Sequence, residues 1–127
     1  MKYLGIDYGS KRTGVAISDG SGKIAFPKFV LPTDARLGQK IRDLCVSEKV
    51  DAIVIGQSLN FKGAPNPIQA EIENWKLKIE NSLSIPVIYE AEHLTSTQAS
   101  RSTDKANIDS AAAALILQSY LDRQNRL

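Results

Sequence analysis

Asp7, Glu92 and Asp109 are carboxylates far apart in the chain that the elements around them can bring to one place. Three convergent oxygen donors suit Mg²⁺ or Mn²⁺, hard cations that take carboxylate and water and complete their shells from a phosphate. Two such ions roughly 3.5 to 4 Å apart would activate a water and stabilise the leaving oxygen of a phosphodiester, so hydrolysis needs no nucleophilic side chain. Each acid also has a plainer role open to it. Asp7 can hydrogen-bond local backbone in a turn. Glu92 can be a solvated loop charge, with Glu90 a competitor for its part. Asp109 can complement the positive end of a helix, worth roughly 0.3 to 1 kcal/mol at the surface. Together, on a fold that gathers their elements at one edge, the three weigh toward a site.

The elements follow from pattern and punctuation. Two apolar runs, Tyr3 to Asp7 and Thr13 to Ser18, flank a Gly- and polar-rich connection and predict a hairpin with Asp7 at its mouth. On the first strand Tyr3, Gly5 and Asp7 share a face, and side-chain-free Gly5 leaves room there for something to approach. Lys23 to Leu31 reads as a third strand, held to the sheet edge by Pro27. Thr33 or Asp34 can cap a helix with apolar positions Leu37, Ile41, Leu44, Cys45 and Val46. Asp51 to Gly56 is nearly continuous in apolar residues, as for a strand covered on both faces and parallel to the first. Asn66-Pro67-Ile68-Gln69 predicts a capped helix start, with Ile68, Ile72, Trp75 and Ile79 on one face and Trp75 as a core anchor.

Pro86 to Tyr89 is a fifth strand, and Thr95 or Ser96 can cap a brief turn through Ala99. Asn107 is expected to cap a last helix from Ile108 to about Arg123, packing through Ile108, Ala111, Ala112, Leu115, Ile116, Ser119 and Tyr120. The order βββαβαβα, three hairpin-linked strands and then two right-handed crossovers, predicts an α/β mixed five-stranded sheet with helices on both faces. The carboxyl edge of such a sheet is where ligands bind.

Bulk properties set the limits. At 127 residues the chain is expected to be one domain, 1–127, too small for two nucleotide-clasping lobes. A net charge of +2 permits an anionic partner without demanding one. One Cys and one His exclude an internal disulfide and a zinc site, and no apolar run approaches the length of a membrane span. A cytoplasmic protein is the expectation.

The stretch Asp7-Tyr8-Gly9-Ser10-Lys11-Arg12-Thr13-Gly14-Val15-Ala16-Ile17-Ser18-Asp19 resembles the opening signature of the YqgF/RuvX family, whose members carry the names Holliday junction resolvase and pre-16S rRNA nuclease. The similarity continues through Val54 to Asn60 with Gly63, Glu92 to Ser96 with Ala99, and Ile108 to Leu117, nearly the whole chain in order. The first and last blocks are specific and the middle ones less so. The resemblance implies a ribonuclease H-like fold and a metal-dependent nuclease in which Asp7, Glu92 and Asp109 are the acidic triad. Lys11 and Arg12 match the family's basic pair and would hold a phosphate near the metal, Arg by bidentate hydrogen bonds and Lys as a point charge. Two departures stand out. Ala91-Glu92-His93 replaces the family's Asp-Glu-Arg, and Gly56-Gln57-Ser58 replaces its Gly-Leu-Pro.

The leading expectation is therefore an endonuclease on structured RNA, in 5′-end maturation of pre-16S rRNA or on a ribosomal precursor particle, using two Mg²⁺ or Mn²⁺ ions. A resolvase of branched DNA is its nearest rival. A noncatalytic ribosome-assembly factor would instead bind RNA through Lys11, Arg12, Lys62, Arg101 and Lys105, with Phe61 stacking on a base. A phosphotransferase suggested by Asp7-Tyr8-Gly9-Ser10 would need a second lobe.

Overall fold

The computed structural model describes residues 1–58, 66–91 and 105–126, without the side chains of 105–109. Its elements are β1 (Tyr3–Asp7), β2 (Arg12–Ser18), β3 (Ala25–Pro32), α1 (Leu37–Ser47), β4 (Ala52–Gln57), α2 (Gln69–Ser82), β5 (Val87–Ala91) and α3 (Lys105–Asn125). The strands form one mixed sheet in the order β3-β2-β1-β4-β5. β1 pairs antiparallel with β2 and parallel with β4, and β4 pairs parallel with β5.

The sequence pattern accounts for this order. Ala52 to Gly56 are all buried, as a strand covered on both faces requires, and β4 lies inside the sheet. Pro27 sits in the edge strand β3, beside a register shift that leaves Lys28 without a partner between Pro27 and Phe29. A residue with no N–H to donate is tolerated at such a bulge. Leu4, Ile6, Val15, Ile53 and Ile55 face α1 and α2 through Leu37, Ile41, Cys45, Ile72 and Ile79. Ala16 and Val54 face α3 through Ala113, Ile116, Leu117, Tyr120 and Leu121. Helices thus cover both faces, and among the described residues no helix is long and apolar enough to cross a membrane.

Several expected details shift. Neither expected residue caps α1, which follows Arg36 with no side-chain cap: Asp34 turns the chain just ahead of it by accepting from the Arg36 N–H at 2.9 Å, and the Thr33 hydroxyl is engaged elsewhere. Val46 is 75% exposed rather than packed. α2 begins at Gln69 with no side-chain cap, because Asn66 and Gln69 bond to Ser58 instead: Asn66 Nδ2 donates to Ser58 Oγ at 3.0 Å, and the Ser58 N–H to Gln69 Oε1 at 2.8 Å. α3 starts at Lys105, ahead of the expected Asn107 cap, and buries Ala112, Ala113, Ile116, Leu117, Tyr120 and Leu121. Its packed face is rotated by about a residue from the expected one, leaving Ser119 exposed.

Candidate active site at the carboxyl edge of the sheet

Asp7 is the last residue of β1 and half-buried. It pairs with Gly14 of β2 and shares the face of Tyr3 and Gly5, the face that α3 covers. The room beside Gly5 is taken by that helix. A Cβ at Gly5 would lie 2.8 Å from Leu117 Cβ and 3.0 Å from the Ala113 carbonyl oxygen. Tyr3, two residues earlier, meets Tyr120 edge to face at 5.6 Å. The helix therefore runs back along β1. Two strand residues advance about 6.6 Å and a helical residue about 1.5 Å, so the next step, to Asp7, corresponds to about four or five helical residues before the 113–117 contact and reaches roughly positions 109–112. Asp109 is the fifth residue of α3, outside its first turn. The dipole role open to it from sequence thus weakens, since that effect falls off within the first turn.

The parallel register extends the site sideways. Ile6 pairs with Ile55, so Asp7 is level with Gly56, and Gly56 pairs with Glu90. Glu92 follows the last residue of β5, Ala91, and lies outside the described residues, as do His93, Phe61, Lys62 and Arg101. Lys105 opens α3, with its side chain outside the described set. Glu90, the competitor, is engaged in a pair with α3. It is 3% exposed and held by the Arg123 guanidinium through both carboxylate oxygens, one contact at 3.2 Å, and by Ser119 Oγ at 2.9 Å.

Arg12, the first residue of β2, is exposed and two residues before the partner of Asp7. Alternation puts both on one face, and strand geometry sets such diagonal neighbours about 7–8 Å apart. Lys11, also exposed, closes the connecting loop, residues 8–11. Gly9 permits the turn, since a Cβ there would collide with the Arg12 carbonyl oxygen. Trp75 is half-buried against Tyr8 at 5.5 Å, as a core anchor should be. Burial and, secondarily, Glu71 raise the Tyr8 hydroxyl above its usual pKa. Ser10 Oγ donates to Glu71 at 3.2 Å and ties the same loop to α2.

Sequence reasoning missed the residues that grip this loop. Thr33 Oγ1 donates to the Gly9 carbonyl at 2.7 Å, and the Thr33 N–H to the Lys11 carbonyl at 3.0 Å. Wholly buried Thr13 meets Thr33 hydroxyl to hydroxyl at 2.7 Å. No spacing rule links positions 13 and 33; only strand pairing brings them together.

Of the acidic triad, the Asp7 side chain alone is described, and among the described residues no three ligating side chains cluster. The donor chemistry nonetheless fits a hard cation. Asp7 offers a carboxylate from a rigid strand end, while the one thiol, Cys45, is buried in the core beyond the opposite face, where burial pushes it up to about 11.

The model of the RuvX family, described as Holliday junction resolvase, matches residues 1–123. The chain belongs to the RuvX family. Relatives of this RuvX chain named "Putative pre-16S rRNA nuclease" include one from Streptococcus uberis, 36% identical over 97% of this chain and 99% of its own, and one from Lawsonia intracellularis, 34% identical over 97% and 94%. Among solved structures, RuvC of Thermus thermophilus in complex with a Holliday junction substrate aligns with a TM-score of 0.63 at 13% identity, covering 98% of this chain and 96% of its own. The fowlpox virus resolvase bound to junction DNA gives 0.60 at 14%, covering 98% and 99%. At such identities these two establish that the RuvX chain has the RuvC-like, ribonuclease H-like fold.

Proposed function

We propose that this RuvX-family chain is a metal-dependent endonuclease acting on structured nucleic acid, and that its role is 5′-end maturation of pre-16S rRNA. The observation that supports this best is the convergence of chain segments: β1 ends at Asp7, β5 ends one residue before Glu92, and the α3 register runs back along β1 toward position 109. Asp7, Glu92 and Asp109 would hold Mg²⁺ or Mn²⁺, in our reading two ions, which supply an activated water and charge stabilisation at the leaving oxygen. Arg12 and Lys11 would grip the phosphate flanking the cut, the guanidinium fixing its orientation and the ammonium adding charge. Relatives about 35% identical over nearly their whole length carry the rRNA-nuclease name, which favours RNA as substrate.

The family description favours a second reading, resolution of branched DNA. Incubating purified protein with precursor 16S RNA and with a four-way DNA junction, each with Mg²⁺, Mn²⁺ or chelator, and mapping the ends separates the two. Cations should support cleavage of the RNA at discrete positions and chelator should abolish it. Asp7→Asn should remove cleavage by at least about 100-fold, as expected when a charged catalytic group is lost, while leaving circular dichroism unchanged. Cleavage undiminished in that variant would exclude Asp7 from the chemistry. Salt-sensitive RNA binding with no metal-dependent products would instead indicate a noncatalytic assembly factor.

A further inference from the structure

We propose that Thr33, at the exit of β3, is a positioning residue that holds the loop of residues 8–11 so that Lys11 and Arg12 are presented beside Asp7; this rests on the nuclease reading above. Thr33 touches the loop at both ends. Its hydroxyl bonds to the Gly9 carbonyl at 2.7 Å and its N–H to the Lys11 carbonyl at 3.0 Å. A carbonyl can only accept, so the Thr33 proton is committed to Gly9. Thr13 must then donate its own proton to Thr33 Oγ1, 2.7 Å away, and the chain runs one way: Thr13 to Thr33 to Gly9. Thr13 is wholly buried, so no water competes for that role, and the direction of the relay is fixed by the fold.

Two other ties hold the loop to α2. Tyr8 packs on Trp75 at 5.5 Å, and Ser10 reaches Glu71 through an exposed bond at 3.2 Å, a contact water can replace. With Gly9 admitting no side chain, the carbonyls at 9 and 11 are the natural handles. Thr33 takes both. A phosphate contact depends on where the two cations sit relative to Asp7, and a misplacement of about 1 Å can cost a factor of about 100. Thr33 thus serves substrate positioning without touching substrate.

Thr33→Val keeps the shape and deletes the hydroxyl, whereas Thr33→Ser restores it. Amide hydrogen exchange on the free protein reads the loop directly. Thr33→Val should speed exchange in the segment 8–13 by several-fold and leave α1, α2 and α3 unchanged, with Thr33→Ser close to wild type. On precursor 16S RNA with Mg²⁺, Thr33→Val should raise KM several-fold with kcat within about two-fold. Arg12→Ala should shrink the difference between valine and threonine at 33 to the share carried by Lys11, because Thr33 acts through the basic loop. Unchanged exchange, unchanged KM, or fully additive losses with Arg12→Ala would overturn the proposal. The same cycle read as RNA dissociation constants in chelator needs no cleavage. If wild type binds without cutting, the nuclease reading fails while the binding cycle still decides for or against Thr33.

Discussion

Glu90 and Asp7 sit on one sheet face at one level, yet they have different fates. Glu90 is enclosed by α3 and bonded to Ser119 and Arg123, while Asp7 is half-buried at the end of β1. A carboxylate buried to 3% exposure relies on its hydrogen-bonded partners to offset its lost hydration. Arg123→Ala should therefore destabilise the fold by about 2–3 kcal/mol, below the roughly 3–5 kcal/mol for breaking a fully buried pair because Arg123 is 58% exposed. Thermal unfolding should show a midpoint lower by several degrees, and cleavage well below that midpoint should persist. A lost cleavage with unchanged stability would mean that this pair belongs to the site. The sequence offers Glu90 as a competitor of Glu92 because the arginine that pairs with it lies far along the chain.

The element that decides the site is α3, and its phase was the least legible feature of the sequence. Ala111 to Ala114 are alike in size and polarity, so a helical period drawn through them can be turned by a residue at almost no penalty. Gly5 marks the phase in the fold, because Leu117 and the Ala113 carbonyl close over the space that a side chain there would fill. The helix starts were misread for a related reason: Asn66 and Gln69 have the chemistry of caps, but Ser58 offers them partners within the fold, and tertiary contacts won. By contrast, Pro27 and the apolar run of β4 each permit few neighbours, and strand order followed from them. Gly5→Ala tests the close approach. Its methyl meets a Cβ and a backbone oxygen, neither of which can swing aside, so the variant should lose about 1–3 kcal/mol. Relief comes by lifting α3 from β1, which moves position 109 away from Asp7. Metal-dependent cleavage should fall further than Arg123→Ala lowers it at matched stability, measured as kcat against denaturation midpoint.

At the scale of the whole molecule, charge is nearly balanced: 16 Lys and Arg against 14 Asp and Glu. So slight an excess makes long-range steering weak, and affinity for nucleic acid must come from cations placed at the site. Each phosphate contact by a cation steepens the dependence of log affinity on log salt by about 0.7 for single strands and 0.9 for duplex. Arg12→Ala should therefore lower the slope for precursor 16S RNA in chelator by about one contact's worth. Replacing an exposed cation far from the site, such as Lys78 on α2, should leave it unchanged. Filter binding across a salt series measures both. Equal changes at the two positions would mean that the RNA senses only total charge, and the carboxyl edge of the sheet would lose its claim to be the binding surface. A change at Arg12 alone would tie RNA affinity to the same face and the same loop as Asp7, the link that a sequence with so little net charge cannot supply.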